Sequence, residues 1–213
     1  MAIEGIKHII FDLGGVLLNI DYQRTEDAFV ALGIQDFKSM YAQAAQTDFF
    51  SDYETGRIDT QTFISGLKQY LPPGTPDTAI VDAWNAMLLE WPIARLRLLQ
   101  QLHLHYDLAL LSNTNELHEK VFKKTLKACC GYENIGVFFD KVFFSHRIGM
   151  RKPDKETFQF VLDHCGFAAA DTLFIDDSFQ HIEGARSLGI HTIWLQPGMT
   201  IEDNIFLPRS SKV

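Results

Sequence analysis

Four separate segments of the sequence carry polar side chains capable of chemistry, and three of these segments follow short apolar runs. The residues concerned are Asp12, Ser112, Asn113, Lys152, Asp176 and Asp177. If the apolar runs are parallel strands of one sheet, their carboxyl ends meet at one edge, and we expect these side chains to converge there. The convergence would gather three carboxylates, a hydroxyl, an amide and an ammonium into a single site.

Three carboxylates in one place repel one another, so each of them resists ionisation. A hard divalent cation relieves this repulsion, and Mg²⁺ takes oxygen ligands that typically include one or two carboxylates and phosphate oxygens. Lys152 has the wrong charge for a metal ion but the right charge for a phosphate oxygen, to which Ser112 and Asn113 can donate further hydrogen bonds. These residue types therefore predict Mg²⁺ and a metal-bound phosphoryl group.

The segment FDLGGV, residues 11–16, indicates a role for its single acid, Asp12. A carboxylate can attack phosphorus and form an aspartyl-phosphate, which divides one difficult displacement into two easier ones. Gly14 and Gly15 allow the backbone to turn sharply, so the carbonyl of residue 14 can reach a metal ion and backbone N–H groups can reach the phosphate. We therefore predict that Asp12 is a nucleophile.

The bulk composition excludes several classes of protein. The chain has 213 residues, 46% of them hydrophobic, and a formal net charge of −8. An acidic chain lacks the clustered Lys and Arg that nucleic acid attracts, and no stretch approaches the roughly 18 apolar residues of a membrane span. Three cysteines without metal-site spacing favour reduced thiols. We expect a cytoplasmic protein, a monomer or small homo-oligomer, that acts on a small phosphorylated metabolite.

Five short apolar segments predict the strands of a doubly wound α/β sheet. They are residues 7–11, 107–111, 141–144, 172–175 and 191–195. Each is apolar on both faces, which is typical of parallel strands covered by helices. Amphipathic stretches predict helices at 93–103, 116–129 and 158–165, and Ser178 is expected to cap a further helix.

Residues 18–91 interrupt this alternation of strand and helix. They contain only helix signals, at 28–32, 37–45, 63–71 and 80–91. An all-helical block directly after the first strand indicates an inserted domain. We therefore expect a helical domain over residues 18–91 and an α/β core formed by residues 1–17 and 92–213.

The motifs resemble those of the haloacid dehalogenase (HAD) superfamily of phosphatases, in the same order along the chain. They are FDLGGV at 11–16, LLSNTN at 110–115, RKPD at 151–154 and FIDDSFQHIEGARSLGI at 174–190. The resemblance implies a Rossmann-like parallel sheet of order 5-4-1-2-3, with residues 18–91 as a mobile cap. It also implies that Asp12 is the nucleophile, that Ser112 and Lys152 bind phosphate, and that Mg²⁺ binds Asp12, the Gly14 carbonyl and Asp177. Asp176 would lie beside the metal ion or bind it through water.

One position departs from the usual first motif of that family. The family places a second Asp, the general acid/base, two residues after the nucleophile, whereas this chain has Gly14. General acid catalysis typically raises the reaction rate by roughly 10²–10⁴-fold. Its loss should therefore matter least for a good leaving group such as an anomeric sugar hydroxyl. The chain is similar to a subgroup with DLG, LSNTN and GMRKP that includes bacterial α-D-glucose-1-phosphate phosphatases. We therefore expect hydrolysis of a sugar phosphate, such as a sugar-1-phosphate.

Other functions are open to the same residues. A 2-haloacid dehalogenase would use Asp12 to attack carbon without a metal ion, although the Asp176–Asp177 pair would then be costly to bury. A phosphomutase would need two-way transfer, which Gly14 makes harder. A catalytically impaired protein could keep the fold to bind phosphate or a partner. For substrate contacts in the helical block, Asp21, Tyr22 and Arg24 are candidates, and His181 lies either on the surface or behind the metal site.

Overall fold

A parallel five-stranded sheet forms the centre of the molecule. The computed structural model describes residues 3–46, 48–203 and 206. The strands are β1 His8–Phe11, β2 Asp107–Ser112, β3 Lys141–Phe144, β4 Thr172–Asp176 and β5 His191–Trp194. They are arranged in the order β3-β2-β1-β4-β5, which confirms the predicted order and the α/β fold class.

The strand register brings the polar motifs to one edge of the sheet. Phe11 of the central strand β1 pairs with Leu110 of β2 and with Ile175 of β4. The next residue, Asp12, donates its backbone N–H to the carbonyl of Ile175 at 3.0 Å. Asp12 therefore lies between the ends of β2 and β4, where the sequence analysis expected it.

Five helices flank the sheet. They are α6 Ile93–Leu102, α7 Glu116–Cys130, α8 Ser145–Ile148, α9 Lys155–Cys165 and α10 Phe179–Arg186. Successive side chains of a strand point to opposite faces, so Phe11 packs into one hydrophobic cluster and Ile10 into another. Across the described residues, every helix is too short or too polar to cross a lipid bilayer.

The segment after β3 forms the single turn of α8, whose His146 and Arg147 both bind the buried carboxylate of Glu119. One detail of these helices differs from prediction. Ser178 occupies the N-cap position of α10, but its side chain makes no capping hydrogen bond. Its backbone N–H instead donates to Asp176 Oδ1 at 2.7 Å, because that carboxylate lies just before the helix.

Between residues 22 and 85, the part of the chain that the structure describes forms five further helices around their own hydrophobic cluster. They are α1 Tyr22–Ala31, α2 Phe37–Gln46, α3 Phe49–Glu54, α4 Thr60–Lys68 and α5 Asp77–Asn85. The cluster takes its buried members from residues 29–84 together with Leu117 of α7. Trp84 packs there, and Trp91 packs in the core of the sheet.

The predicted helix at 80–91 was too long, and α3 was not predicted. Helix α5 ends at Asn85 because the following residues pair with the segment that leads into α1. Asp21 donates its N–H to the Met87 carbonyl at 2.9 Å, and Leu89 donates to Asn19 at 2.9 Å. The two segments that connect the helical block to the sheet therefore run antiparallel to each other.

Phe63 lies at the centre of the helical block. Its ring stacks on Tyr53 at 4.0 Å and meets Trp84 edge to face at 4.8 Å, and the side chain is fully buried. We expect Phe63→Ala to lower the free energy of unfolding by about 3–5 kcal/mol, because it removes a large buried ring and leaves a cavity. Urea unfolding followed by tryptophan fluorescence measures this change.

The matched control is Val30→Ala, at a half-exposed position on α1, which should change stability by less than about 0.5 kcal/mol. If Phe63→Ala lowered the free energy of unfolding as little as the control does, the packing described for this block would be contradicted.

Candidate active site

A cavity of about 300 Å³ lies between the carboxyl ends of the strands and the helical block. The residues that line it from the sheet side include Asp12, Gly14, Ser112, Asn113, Asp177 and His181. The residues that line it from the helical block include Tyr22, Tyr41, Glu54 and Met87. Lys152 and Asp176 lie directly behind Asp12, so the structure brings together all six polar residues singled out in the sequence.

Lys152 links two of the three carboxylates. Its Nζ lies 2.6 Å from Asp12 Oδ1 and 2.7 Å from Asp176 Oδ2, and the lysine side chain is fully buried. Burial disfavours the charged ammonium, but the two carboxylates outweigh burial and raise the pKa of Lys152. An ammonium has three N–H donors, so one donor remains for a further acceptor such as a phosphate oxygen.

The carboxylates of Asp12, Asp176 and Asp177 are close enough to share a cation. Each offers an oxygen atom, and these atoms lie within 4.8 Å of one another. Burial raises the pKa of Asp12 to about 6 despite the nearby Lys152, and burial together with Asp176 raises the pKa of Asp177 to about 6. Crowded oxygen ligands that resist ionisation fit a hard divalent cation.

Asp176 differs from its two neighbours because it is fully paired. Burial opposes its ionisation, but Lys152 and His181 outweigh burial and lower the pKa of Asp176 to about 2. His181 Nδ1 lies 3.0 Å from Asp176 Oδ2, and the Ser178 N–H contacts Oδ1. His181 is therefore a partner of the acidic cluster and not only a residue on the surface of a helix.

The two glycines of the first motif act differently from each other. Gly15 has a positive φ of 75°, and a Cβ atom there would lie 2.2 Å from Asp177 Oδ2. A glycine at this position thus allows Asp177 to approach Asp12. The Gly15 N–H, predicted to bind phosphate, donates in this structure to the Leu18 carbonyl at 2.9 Å. Gly14 lines the cavity, next to Ile20.

Asn113 holds the Lys152 segment in place. Its side-chain Nδ2 donates to the Lys152 carbonyl at 2.8 Å, and its Oδ1 accepts the Lys152 N–H at 2.9 Å. One amide N–H is left with which Asn113 could bind phosphate. Ser112, at the end of β2, is buried and lines the cavity beside Asp12.

The helical block contributes residues that sequence reasoning missed. Glu54 of α3 lies 3.0 Å from Arg151 Nη2 and lines the cavity. Burial raises the pKa of Glu54, and Arg151 and Lys152 partly offset this increase. The sequence contains only a weak indication of this ion pair. Glu54 lies in the segment YETGRID and Arg151 directly precedes Lys152, but no sequence pattern links the two residues.

Of the helical residues proposed from sequence to face the substrate, Tyr22 lines the cavity. Asp21 instead caps α1, where its side chain accepts the Gln23 N–H at 3.0 Å. The same carboxylate lies 3.6 Å from Arg24, so this pair is engaged at the start of its own helix.

Comparison with known proteins gives consistent relatives over nearly the whole chain. The sequence profile of the haloacid dehalogenase-like hydrolases matches residues 6–189. The D-ribitol-5-phosphate phosphatase of Bacteroides thetaiotaomicron is 28% identical over 199 residues, which cover 91% of this chain and 93% of the relative.

Two solved structures are similar to the whole molecule. A HAD family enzyme from Bacteroides thetaiotaomicron, in complex with magnesium and inorganic phosphate, is 34% identical with a TM-score of 0.83, covering 91% of this chain and 96% of that one. A HAD-like family hydrolase from Porphyromonas gingivalis is 29% identical with a TM-score of 0.81, covering 94% of each chain. The motifs, the sheet order and these relatives agree, and the chain belongs to the haloacid dehalogenase-like hydrolases.

Proposed function

We propose that the protein is a Mg²⁺-dependent phosphatase that hydrolyses the phosphate monoester of a small sugar or polyol. The observation that carries this proposal is the convergence of Asp12, Asp176 and Asp177 around the buried ammonium of Lys152. The similarity to a phosphatase named for D-ribitol-5-phosphate supports a polyol phosphate, and the DLG-type first motif supports a sugar phosphate such as glucose-1-phosphate.

In the proposed reaction, Asp12 is the nucleophile. Lys152 holds Asp12 Oδ1 at 2.6 Å, which orients the carboxylate and leaves Oδ2 to attack phosphorus. The bond between phosphorus and the ester oxygen breaks, and the leaving oxygen takes up a proton. Water then attacks the phosphorus of the aspartyl-phosphate, which releases inorganic phosphate and regenerates Asp12.

Neighbouring residues would bind the phosphate and the metal ion. The remaining N–H of Lys152, the Ser112 hydroxyl and the Asn113 amide are donors for the phosphate oxygens. Asp12, the Gly14 carbonyl and Asp177 would hold Mg²⁺, with Asp176 beside them. A bound Mg²⁺ compensates the negative charge of carboxylate and phosphate as they approach each other.

We further propose that residues 18–91 form a cap over this site. Tyr22, Tyr41, Glu54 and Met87 line the cavity opposite the catalytic residues, so they would face the leaving group. A haloacid dehalogenase needs no metal ion, and the cluster of three carboxylates favours the phosphatase over that alternative.

A release assay tests the proposed function directly. The purified protein is incubated with a panel that contains ribitol-5-phosphate, glucose-1-phosphate and other sugar phosphates, with and without Mg²⁺. We expect Mg²⁺-dependent phosphate release from at least one of them. Absence of phosphate release throughout the panel, or halide release from 2-haloacids without Mg²⁺, would overturn the proposal.

Replacement of the nucleophile tests the mechanism. We expect Asp12→Asn to lower turnover by several orders of magnitude, because the amide cannot form the acyl-phosphate. The variant should also fail to bind beryllium fluoride, which requires a carboxylate oxygen. Fluorine-19 NMR measures the binding of beryllium fluoride, and single-turnover phosphate release measures the loss of turnover.

Asp163→Asn, at an exposed position on α9, is the matched control and should leave both properties unchanged. Normal turnover by Asp12→Asn would exclude a covalent intermediate on this residue.

Binding of Mg²⁺ should weaken as the pH falls through about 6. Asp12 and Asp177 have raised pKa values of about 6, so below that pH both carry protons that compete with the metal ion. At about pH 5 each group is ionised to about one tenth, so we expect affinity up to about 100-fold lower than at about pH 7.5. Isothermal titration calorimetry at the two pH values measures this difference, and circular dichroism verifies that the protein stays folded. Equal dissociation constants at the two pH values would contradict the assignment.

Introduction of the missing acid tests the leaving-group hypothesis. We expect Gly14→Asp to raise kcat/KM for alkyl phosphates by about 10²-fold and to change it less for aryl phosphates, which leave without a proton. A Cβ atom at Gly14 would lie 3.2 Å from Ile20 Cδ1, so Ile20 must shift slightly.

Gly14→Asn adds the same bulk without an acidic proton and serves as the control for that shift. Similar substrate preferences in the Asp and Asn variants would show that Gly14 does not restrict the leaving group.

A further inference from the structure

His118 lies between two cavities and has no role in the proposed chemistry. It is a buried residue in the first turn of α7. It lines the site cavity with Asp12, and it also lines an adjoining cavity of about 560 Å³ between the sheet and the helical block. The adjoining cavity is formed largely by aromatic and apolar side chains, among them Phe37, Tyr41, Trp84 and Met87.

Hydrogen bonds determine which nitrogen of His118 carries the proton. Its Nδ1 lies 2.8 Å from Asn85 Oδ1. The other side-chain atom of Asn85, Nδ2, lies 2.8 Å from the Val81 carbonyl, which can only accept. The Asn85 amide is thereby oriented with its oxygen toward His118, so Nδ1 of the histidine must donate. A neutral ring with its proton on Nδ1 has Nε2 as a bare acceptor.

The ring of His118 is also held in place and kept neutral. It stacks on the indole of Trp84 with centroids 5.2 Å apart and an interplanar angle of 5°. Asn115 Oδ1 accepts the His118 backbone N–H at 3.0 Å and the Trp84 indole N–H at 3.4 Å. Burial lowers the pKa of His118 to about 3, so the imidazole ring is uncharged at neutral pH.

Nε2 is the acceptor that His118 can offer to a donor in the cavity that it lines. Among the residues that the structure describes, the side-chain hydrogen bond of this ring is made by Nδ1. A fully ionised phosphate group offers only acceptors, so a substrate's donor to Nε2 would come from the part that leaves, and in a sugar or polyol that donor is a hydroxyl. We infer that His118 determines specificity by accepting a hydrogen bond from a hydroxyl of the leaving group. The inference rests on the proposed phosphatase function and predicts preference for sugar and polyol phosphates over esters without hydroxyls.

Substitution of His118 separates the two kinds of substrate. We expect His118→Phe, which retains a ring against Trp84, to lower kcat/KM about 10- to 100-fold for the best sugar or polyol phosphate, mainly through KM. The kcat/KM of the same variant for phenyl phosphate, whose leaving group carries no further hydroxyl, should change less than about threefold. His118→Gln keeps a hydrogen-bond acceptor and should restore part of the preference for sugar and polyol phosphates. His164→Phe, at an exposed position, is the control and should leave kcat/KM unchanged for both substrates.

An equal loss on both substrates by His118→Phe would overturn the inference. If the wild-type protein hydrolyses no phosphate ester, the proposed function itself fails, which is a different result. Nitrogen-15 NMR of the wild-type ring supplies a test that needs no substitution at His118. We expect a proton on Nδ1 and a bare Nε2 at neutral pH, and a proton found on Nε2 would also overturn the inference.

Discussion

The site depends on one buried ammonium group between two carboxylates. Asp12 and Asp176 lie at the ends of neighbouring parallel strands, so the fold brings their negative charges together where both side chains are buried. Lys152 offsets that repulsion with contacts of 2.6 and 2.7 Å. Removal of one partner from such a buried arrangement costs about 3–5 kcal/mol, because a charge is left uncompensated. The position of Lys152 is in turn held by the Asn113 amide on the neighbouring strand end.

Adjacent acids in the last motif have separate tasks because successive residues point in different directions. Asp176 is fully buried, fully paired and ionised, and it orients Lys152 and His181. Asp177 lines the cavity and has a raised pKa, so of these two acids it gains more from a cation. Gly15 makes this division possible, since any side chain there would collide with Asp177.

The helical block meets the rest of the molecule through specific polar pairs. Examples are Glu54 with Arg151, Thr60 with Glu116, and Asn85 with His118. Its hydrophobic cluster is otherwise internal and includes Leu117 from outside the block. Such a surface can select a leaving group through a few oriented donors and acceptors, which is the basis for assigning specificity to His118.

Short-range patterns in the sequence predicted most of the sheet and the chemical core of the site. The five strands are apolar runs whose ends carry Asp12, Ser112 and Asp176, and parallel pairing brings such ends together whatever the connections are. The same patterns predicted Mg²⁺ chemistry and the family. Patterns failed where a contact distant in sequence decides the outcome. Helix α5 stops at Asn85 because residues 87–90 pair with residues 19–21.

The same reason separates what the sequence by itself determined from what only the tertiary structure decided. Residue type and position at a strand end single out Asp12 and Asp176, because those features are local. Other features depend on partners that packing brings together from distant parts of the sequence. They are the ion pair of Glu54 with Arg151, the hydrogen bond from the Gly15 N–H to the Leu18 carbonyl, and the proton on His118 Nδ1. The candidate catalytic side chains could therefore be proposed from the sequence, whereas the surroundings of the cavity emerge only when the helical block packs against the sheet.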